Sequence, residues 1–260
     1  MQQRRPGFPA RIPLVSGVAK PMVAPPSRAA GFPAVATPTG LGLDSVAVRA
    51  RMVQRLGAAG ITMPKVLEAM GAVERHRFVD SGLVNQAYED TSLPIGLGQT
   101  ISKPSIVARM AELLLGAELV RTTGSLGRVL EIGTGCGYQA AVLSRLAREV
   151  YSIERLRGLH DKARVHLRPL RLANVHLIFG DGMLGYPKGA PYAAIIAAAG
   201  GEAVPQAWVD QLAVGGRLVA PVVTAGGGAQ ALLVLEKTAQ GIRQSVLEAV
   251  HFVPLKSGIA

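Results

Sequence analysis

The spacing of apolar residues predicts helices in the first half of the chain. Between residue 44 and the glycines at 57 and 60, apolar side chains recur on one helical face, those of Val46, Ala50, Val53 and Leu56. A second short helix is expected from Pro64, and a third from Ser102 or Lys103 to about Leu115 with Ser102 as its N-cap. Residues 93–98 between them are rich in turn formers and predict an ordered loop, a kind of segment that often carries function.

After residue 124 the pattern becomes a regular alternation of strands and helices. Strands are predicted at 128–132, 149–153, 175–179, 192–198 and 217–222, and helices at 138–148, 156–172 and 204–213. This alternation predicts an α/β fold with a doubly wound, mostly parallel sheet. The apolar runs 229–236 and 245–253 have no helix between them, so they should form a C-terminal antiparallel hairpin at the sheet edge.

The first forty residues differ from the rest of the chain. They contain eight prolines and no sustained apolar period, so residues 1–40 are predicted to be a disordered tail. One domain should then cover residues 41–260, with a helical and loop part at 41–123 and the sheet and hairpin at 124–260. No apolar run reaches the roughly 18 residues that a membrane-spanning helix needs.

Composition narrows the classes of protein that this chain can be. With 49% hydrophobic residues among 260, it can bury a sizeable core without metal or disulfides. The single cysteine, Cys136, excludes an internal disulfide and any CxxC site, which predicts a reducing, cytoplasmic location. The five histidines form no HExxH or i,i+4 pair, so we expect no metal.

The net charge of +11 raises the question of a nucleic-acid partner, because clustered cations release counterions from phosphates. Five of the 28 basic residues precede the first acidic residue, Asp44, and the remaining +6 is scattered over segments that look like solvated helix faces. We therefore expect no specific nucleic acid, no membrane and no partner subunit.

A glycine loop, Gly133-Thr134-Gly135-Cys136-Gly137, joins the first predicted strand of the sheet to its helix. In a doubly wound sheet this turn is the usual ligand cradle, because glycine backbone can turn sharply and lie against a ligand. A dinucleotide fingerprint would need a third glycine at 138, where the chain has Tyr138, and no P-loop Lys-Ser or Lys-Thr follows. The alternative is a structural turn beside surface acids.

Acidic residues at the ends of successive strands favour the ligand cradle. Glu131 could attract the sulfonium and ammonium of S-adenosylmethionine but would repel a pyrophosphate. Glu154 stands where an acid can accept both ribose hydroxyls, and Asp181, followed by Gly182, is placed to meet the adenine amino group. These residues predict S-adenosylmethionine as the cofactor. No histidine lies near Cys136 in the sequence, so we do not expect that thiol to be a nucleophile.

Four segments resemble the protein-L-isoaspartate O-methyltransferase family, from about residue 45 to the C-terminus. They are LPIGLGQTISKPSIVARM at 93–110, VLEIGTGCGYQAAVL at 129–143, GDG at 180–182 and FVPL at 252–255. The resemblance implies a class I methyltransferase Rossmann-like fold. It also implies methyl transfer from S-adenosylmethionine to the α-carboxylate of L-isoaspartyl residues in damaged proteins and peptides, the first step of their repair.

The same resemblance assigns roles around residue 100. The family's active-site serine falls on Ser102, a role compatible with a helix N-cap, and Leu97, Thr100 and Ile101 would contact the substrate peptide. A carboxylate is already ionised at neutral pH, so positioning should dominate catalysis. The sequence departs from the family at Ala193, where members commonly have aspartate; we expect a cost in stability and retained activity.

Three other functions remain open from the sequence. A methyltransferase acting on nucleic acid would fit the positive charge, but the chain has Ala-Ala-Ala-Gly at 197–200 where an Asn or Asp followed by Pro-Pro is usual. A small-molecule methyltransferase would share the cofactor site. A non-catalytic protein that binds damaged proteins could keep the same fold.

Overall fold

The structure, a computed structural model, describes residues 46–224 and 228–260. The predicted disordered tail at residues 1–40 lies outside the described residues. Within the two described ranges, no helix has both the length and the apolar character needed to cross a membrane.

The first two helices agree with the sequence prediction. Helix α1 spans Val46–Ala58 and helix α2 spans Pro64–Ala72, with proline at the start of α2 where its missing N–H costs no helical hydrogen bond. The buried face of α1 carries Met52 and Leu56, whereas Val46 is 72% exposed. The predicted inward face is therefore correct at Leu56, which is buried, and wrong at Val46 and Ala50, which are exposed.

Residues 93–101 form a hairpin rather than the predicted loop. Strand β1 (Leu93–Gly96) pairs antiparallel with strand β2 (Gln99–Ile101) in a separate two-stranded sheet. The turn between them has positive φ at three successive residues, with Leu97 at 54° between two glycines. The predicted turn is present at residues 96–98, and the short strands on either side of it are not apparent from the sequence pattern.

Helix α3 (Pro104–Leu115) does not begin with Ser102 as its N-cap. The N-cap position is Lys103, whose side chain makes no capping hydrogen bond. The carboxylate of Asp90 instead accepts hydrogen bonds from the Ser105 N–H at 2.8 Å and from the Ser105 hydroxyl at 2.7 Å. A group from an earlier loop therefore satisfies the start of α3, and the predicted capping role of Ser102 is wrong.

The remaining elements form the large sheet and its helices. After the short helix α4 (Glu118–Thr123) come β3 (Leu126–Ile132), α5 (Tyr138–Leu143), β4 (Ala147–Glu154), α6 (Arg157–Leu167) and β5 (Val175–Phe179). They are followed by β6 (Tyr192–Ala197), α7 (Gln206–Gln211), β7 (Leu212–Val223), β8 (Gln230–Thr238) and β9 (Gly241–Val250). All three predicted helices are present but shorter than predicted, since α6 gives way to a 3-10 turn containing Pro169 and α7 runs directly into β7.

The sheet has seven strands in the order β5-β4-β3-β6-β7-β8-β9. The five strands from β5 to β7 in this order are parallel to one another. Strand β8 pairs antiparallel with β7, and β9 pairs antiparallel with β8. The predicted doubly wound sheet and the C-terminal hairpin are therefore confirmed. The chain enters at β3, moves outward through β4 and β5, and then returns to β6 on the other side of β3. The carboxyl ends of β3 and β6 therefore meet at a topological switch point, where open α/β sheets bind ligands.

Alternate residues of the central strands contribute to two apolar clusters on opposite faces of the sheet. Val129 packs in the cluster that includes residues of α1, α2, α3 and α5. Its neighbours Leu130 and Ile132 pack in a second cluster with Trp208 of α7. The Trp208 indole donates a hydrogen bond to the Gly182 carbonyl oxygen at 2.8 Å, which fixes the turn after β5 beside the switch point.

Candidate active site

The glycine loop after β3 has the backbone conformation that its composition predicts. Gly133, Gly135 and Gly137 have φ values of 90°, 57° and 93°, which any other residue would adopt only with strain. The N–H of Gly133 donates to the Ile153 carbonyl oxygen at 2.8 Å, so the loop starts against the end of β4. A Cβ on Gly137 would lie 3.0 Å from Leu167 Cδ1, and this glycine therefore allows α5 and α6 to pack closely.

A cavity opens above this loop and brings most of the predicted site residues together. Its walls come from the glycine loop, the β1–β2 hairpin, the residues before α3, the end of β4 and the C-terminal segment 253–256. The predicted site residues that line it are Leu97, Thr100, Ile101, Ser102, Gly133, Gly135, Glu154 and Gly182. Glu131, Gly137 and Asp181 do not line it.

Glu154 is buried at the edge of the cavity and organises the backbone around it. Its Oε2 accepts a hydrogen bond from the Gly135 N–H at 2.9 Å, and its Oε1 accepts one from the Leu156 N–H at 2.9 Å. Each carboxylate oxygen can accept a second hydrogen bond, so both remain available to a ligand. The carboxylate thus holds the glycine loop and the start of α6 in position while facing the cavity.

Glu131 lies beneath the cavity instead of on its wall. The side chain is fully buried, and its Oε2 accepts a hydrogen bond from the Ser152 hydroxyl, which lies 2.6 Å from the Thr134 hydroxyl. Burial raises the pKa of Glu131 to about 8, although the hydrogen bond from Ser152 acts in the opposite direction. The carboxyl group is therefore mainly protonated at neutral pH, and its predicted attraction for a cationic ligand stays a prediction.

Asp181 stabilises the backbone next to the site. One carboxylate oxygen accepts from the Met183 N–H at 2.8 Å and the other from the Gly258 N–H at 2.7 Å. The residue therefore connects the turn after β5 to the C-terminal segment. Its predicted contact with an adenine amino group stays a prediction. The adjacent Gly182 does line the cavity, and a Cβ there would lie only 2.6 Å from Ile132 Cγ2.

Ser102 lies where the hairpin leads into α3. It is half-buried on the cavity wall, and its hydroxyl has no hydrogen-bond partner within the described parts of the chain. Ile101 beside it is buried, Thr100 is exposed, and Leu97 at the hairpin tip is 62% exposed although its side chain reaches Gly158 of α6. The hydroxyl of Ser102 is therefore available to bind a ligand in the cavity.

The C-terminal segment supplies a wall that the strand pattern did not predict. Residues 253–256 border the cavity, and backbone hydrogen bonds of 2.8 Å join Gly200 to Val253 and to Leu255. The Arg155 Nε donates to the Gly258 carbonyl oxygen at 2.8 Å, so the segment crosses from the end of β6 to the end of β4. The FVPL motif was the only sequence signal for this wall, and no signal identified Arg155 or Gln139 as lining residues.

Cys136 lines the cavity but is not suited to act as a nucleophile. Its side chain is buried, and burial raises the pKa of the thiol to about 11, so it is protonated and a poor nucleophile at neutral pH. Across residues 46–224 and 228–260, no group of three or more His, Cys, Asp or Glu side chains is arranged to hold a metal ion.

The residues around the cavity fit S-adenosylmethionine. Gln139 lines the cavity, and its buried Nε2 has no hydrogen-bond partner among the described residues. Gly133 and Gly135 line the cavity without a side chain, and Glu154 presents acceptors at the end of the next strand. A ligand with hydroxyl and amino groups would satisfy these atoms without competing for the hydrogen bonds that shape the loop.

Comparison with known proteins identifies the family. A family model described as protein-L-isoaspartate(D-aspartate) O-methyltransferase matches residues 47–260. A protein-L-isoaspartate O-methyltransferase of Methylibium petroleiphilum is 56% identical over 266 residues, which cover 99% of this chain and 98% of the relative. The enzyme of the same name from Leptothrix cholodnii is 61% identical over 221 residues, covering 84% of this chain and 77% of the relative.

Solved structures agree with this result. A protein-L-isoaspartate O-methyltransferase structure is 28% identical and superimposes with a TM-score of 0.72, covering 81% of this chain and 67% of that one. A Plasmodium falciparum protein assigned to the same family was solved with S-adenosyl-L-homocysteine. It superimposes with a TM-score of 0.66 at 23% identity, covering 80% of this chain and 98% of that one. This similarity supports the fold alone. The chain belongs to the protein-L-isoaspartate(D-aspartate) O-methyltransferase family and takes S-adenosylmethionine as its cofactor.

Proposed function

We propose that the chain transfers a methyl group from S-adenosylmethionine to the α-carboxylate of L-isoaspartyl residues in damaged proteins and peptides. Membership of the family supports the reaction and the substrate class. Within that reaction we assign the substrate carboxylate to Ser102 and the cofactor ribose to Glu154. Leu97, Thr100 and Ile101 form the wall against which the substrate peptide lies.

The observation that carries the assignment is the position of Ser102. Its hydroxyl has no hydrogen-bond partner among the residues that the structure describes, and it shares one cavity with the glycine loop and with Glu154. The nearby Ser105 of α3 shows the contrast, because its hydroxyl is used for structure and donates to the side-chain carboxylate of Asp90 at 2.7 Å. Ser102 is instead available to donate a hydrogen bond to a carboxylate oxygen.

The residues of the chain act mainly by positioning. Bound S-adenosylmethionine supplies a methyl group on a positively charged sulfur, which an ionised carboxylate can accept without a base. Ser102 orients that carboxylate, and Glu154 holds the glycine loop through the Gly135 N–H. The hairpin and residues 253–256 enclose the cavity, and exclusion of water strengthens the electrostatic interactions inside it.

An assay with paired peptides tests this function. One peptide carries a single L-isoaspartyl residue, and its twin carries aspartate at the same position. With S-adenosylmethionine labelled on its methyl group, we expect label in the isoaspartyl peptide only, in an ester that base hydrolyses. Label in the twin, or in neither peptide, would contradict the proposed substrate. A protein that binds the isoaspartyl peptide without labelling it would be a non-catalytic binder.

Replacing Ser102 by alanine should lower turnover by about tenfold or more, since a hydrogen bond to a charged group contributes roughly 1.5–3 kcal/mol. Initial rates with the isoaspartyl peptide measure this loss. Because Ser102 does not hold the glycine loop, the affinity for S-adenosylhomocysteine in calorimetry should stay within about twofold of wild type. Ser102→Thr keeps the hydroxyl and serves as the matched control. A Ser102→Ala enzyme with wild-type turnover would remove this residue from the site.

Location and assembly are also part of the proposal. The single cysteine supports a cytoplasmic enzyme, and the scattered positive charge supports a protein without a specific nucleic-acid partner. We propose that the chain acts as a monomer, since one copy supplies every wall of the cavity described above.

A further inference from the structure

A second depression, which we call the α6 groove, lies between α6 and the edge strand β5, outside the cofactor cavity. Its rim carries Arg157, Arg164, Arg168 and Arg171, and its floor includes Leu172 and Leu177. The floor leucines are only partly buried, and Val165 on the neighbouring helix surface is 69% exposed. The groove therefore combines an apolar base with a basic rim.

The positive charge of the α6 groove is only partly compensated by the residues that the structure describes. Asp161 is the carboxylate in its lining, at 3.1 Å from Arg157 and 3.6 Å from Arg164. No carboxylate of the described residues forms an ion pair with Arg168 or Arg171. Cations in the last turn of a helix do complement its dipole, but that effect does not account for the exposed apolar surface beside them.

The floor of the groove favours an extended polypeptide as its occupant. Strand β5 lies at one edge of the sheet and pairs only with β4 among the described strands, so its outer edge is not covered by another of them. Such an edge offers backbone donors and acceptors to an added chain. A polypeptide can use the edge and the leucines together, whereas a nucleic acid would use the arginines alone.

The groove begins next to the active site. Leu156 and Leu159 line the cofactor cavity, and Arg157 between them lines the groove. Leu97 at the tip of the substrate hairpin reaches Gly158 on the same turn of α6. From Arg157 to Arg168 the helix rises by roughly 16 Å, a distance that about five residues of extended chain would span.

We propose that the α6 groove binds an acidic, extended segment of the substrate polypeptide, about five to ten residues from the isoaspartyl residue. The proposal rests on the proposed function, because it places the flank of the same substrate whose carboxylate lies at Ser102. Glutamate or aspartate side chains of that segment pair with Arg168 and Arg171, and its apolar residues cover the floor. The enzyme thereby favours damaged sites in acidic surroundings.

Peptides with one isoaspartyl residue test the proposal. Three glutamates are placed five to eight residues away, on the amino side in one peptide and on the carboxyl side in another, and each peptide has a twin with glutamine instead. At low salt we expect KM for one glutamate peptide to be about fivefold below that of its twin, the size that two exposed ion pairs supply. The turnover number should be equal, and the preference should shrink as salt screens the pairs.

Two double variants locate the effect. Arg168→Glu with Arg171→Glu should abolish the preference while the glutamine twin keeps its wild-type turnover, which also shows that the variant is folded. Arg145→Glu with Arg148→Glu makes the same change in net charge at exposed positions beside the opposite, amino end of β4, and should keep the preference.

The outcomes separate this proposal from the proposed function. If wild-type enzyme methylates the glutamate and glutamine peptides equally well, the groove proposal is wrong while the methyltransferase function stands. If no isoaspartyl peptide is methylated, the function itself fails. Loss of the preference in both double variants would indicate net charge rather than the groove. Inhibition by oligouridylate that disappears only in the Arg168→Glu, Arg171→Glu variant would overturn the proposal in favour of a nucleic-acid site.

Discussion

Replacing Glu154 by alanine is expected to weaken the binding of S-adenosylhomocysteine by about a hundredfold, as the loss of two charge-assisted hydrogen bonds implies. In our assignment the carboxylate accepts bonds from the cofactor ribose. It also accepts the Gly135 and Leu156 N–H groups, so the variant loses the organisation of the loop as well. Calorimetric titration of the purified protein measures the change.

A matched substitution on the same strand controls for general damage to β4. Glu149 lies near the other end of the strand and pairs with His176 at 2.6 Å, far from the cavity. Glu149→Ala should bind S-adenosylhomocysteine as wild type does. Glu154→Gln keeps one acceptor oxygen, so its affinity for S-adenosylhomocysteine should lie between those of wild type and Glu154→Ala. An unchanged affinity in Glu154→Ala would exclude this residue from the cofactor site.

The second large effect concerns stability and comes from Glu131. Its pKa is about 8 in the folded chain, against 4.5 for an ordinary glutamate. Between these values the folded state holds a proton that the unfolded state has released, so stability falls as pH rises through this window. Above about pH 8 both states are ionised and this group adds no further slope. Because one pKa unit corresponds to about 1.4 kcal/mol, the loss between pH 5 and 8 is on the order of a few kcal/mol.

Glu131→Gln should remove this pH dependence, since glutamine stays neutral. Urea unfolding of both proteins between pH 5 and 9 isolates the contribution, because the other titrating groups cancel in the difference. We expect the variant to gain a few kcal/mol over wild type as the pH rises from 5 to 8, and the gap to stay constant above that. Parallel stability curves for the two proteins would show that Glu131 ionises normally in the folded chain.

The doubly wound sheet and part of the cavity could be predicted because they depend on short-range patterns. Glycines at 133 and 135 must follow a strand, and Glu154 must end the next one, so parallel strands bring them to one edge. The orientation of Glu131 was harder to predict. Glu131 is two residues from Val129 on β3, so both side chains lie on the same face of the sheet. That face is packed against helices, and Glu131 therefore points into the core rather than toward the cavity.

Other features depended on residues distant in the chain. The start of α3 is capped by Asp90, fifteen residues before Ser105, and no local signal reveals such a bond. The hairpin at 93–101 depends on a left-handed conformation at Leu97, which leucine rarely adopts. Asp181 finds its partner at Gly258, 77 positions later, so its role could only be identified in three dimensions.

The C-terminal wall has a consequence for the order in which the site can form. Residues 253–256 border the cofactor cavity, and the segment is fastened to Gly200, Arg155 and Asp181, which belong to parts of the chain made much earlier. The sheet through β7 can form without this segment, but the cavity has no complete boundary until residues 253–256 have docked. Closure of the cavity should therefore be a late step in folding, and tight cofactor capture should depend on the docking of residues 253–256.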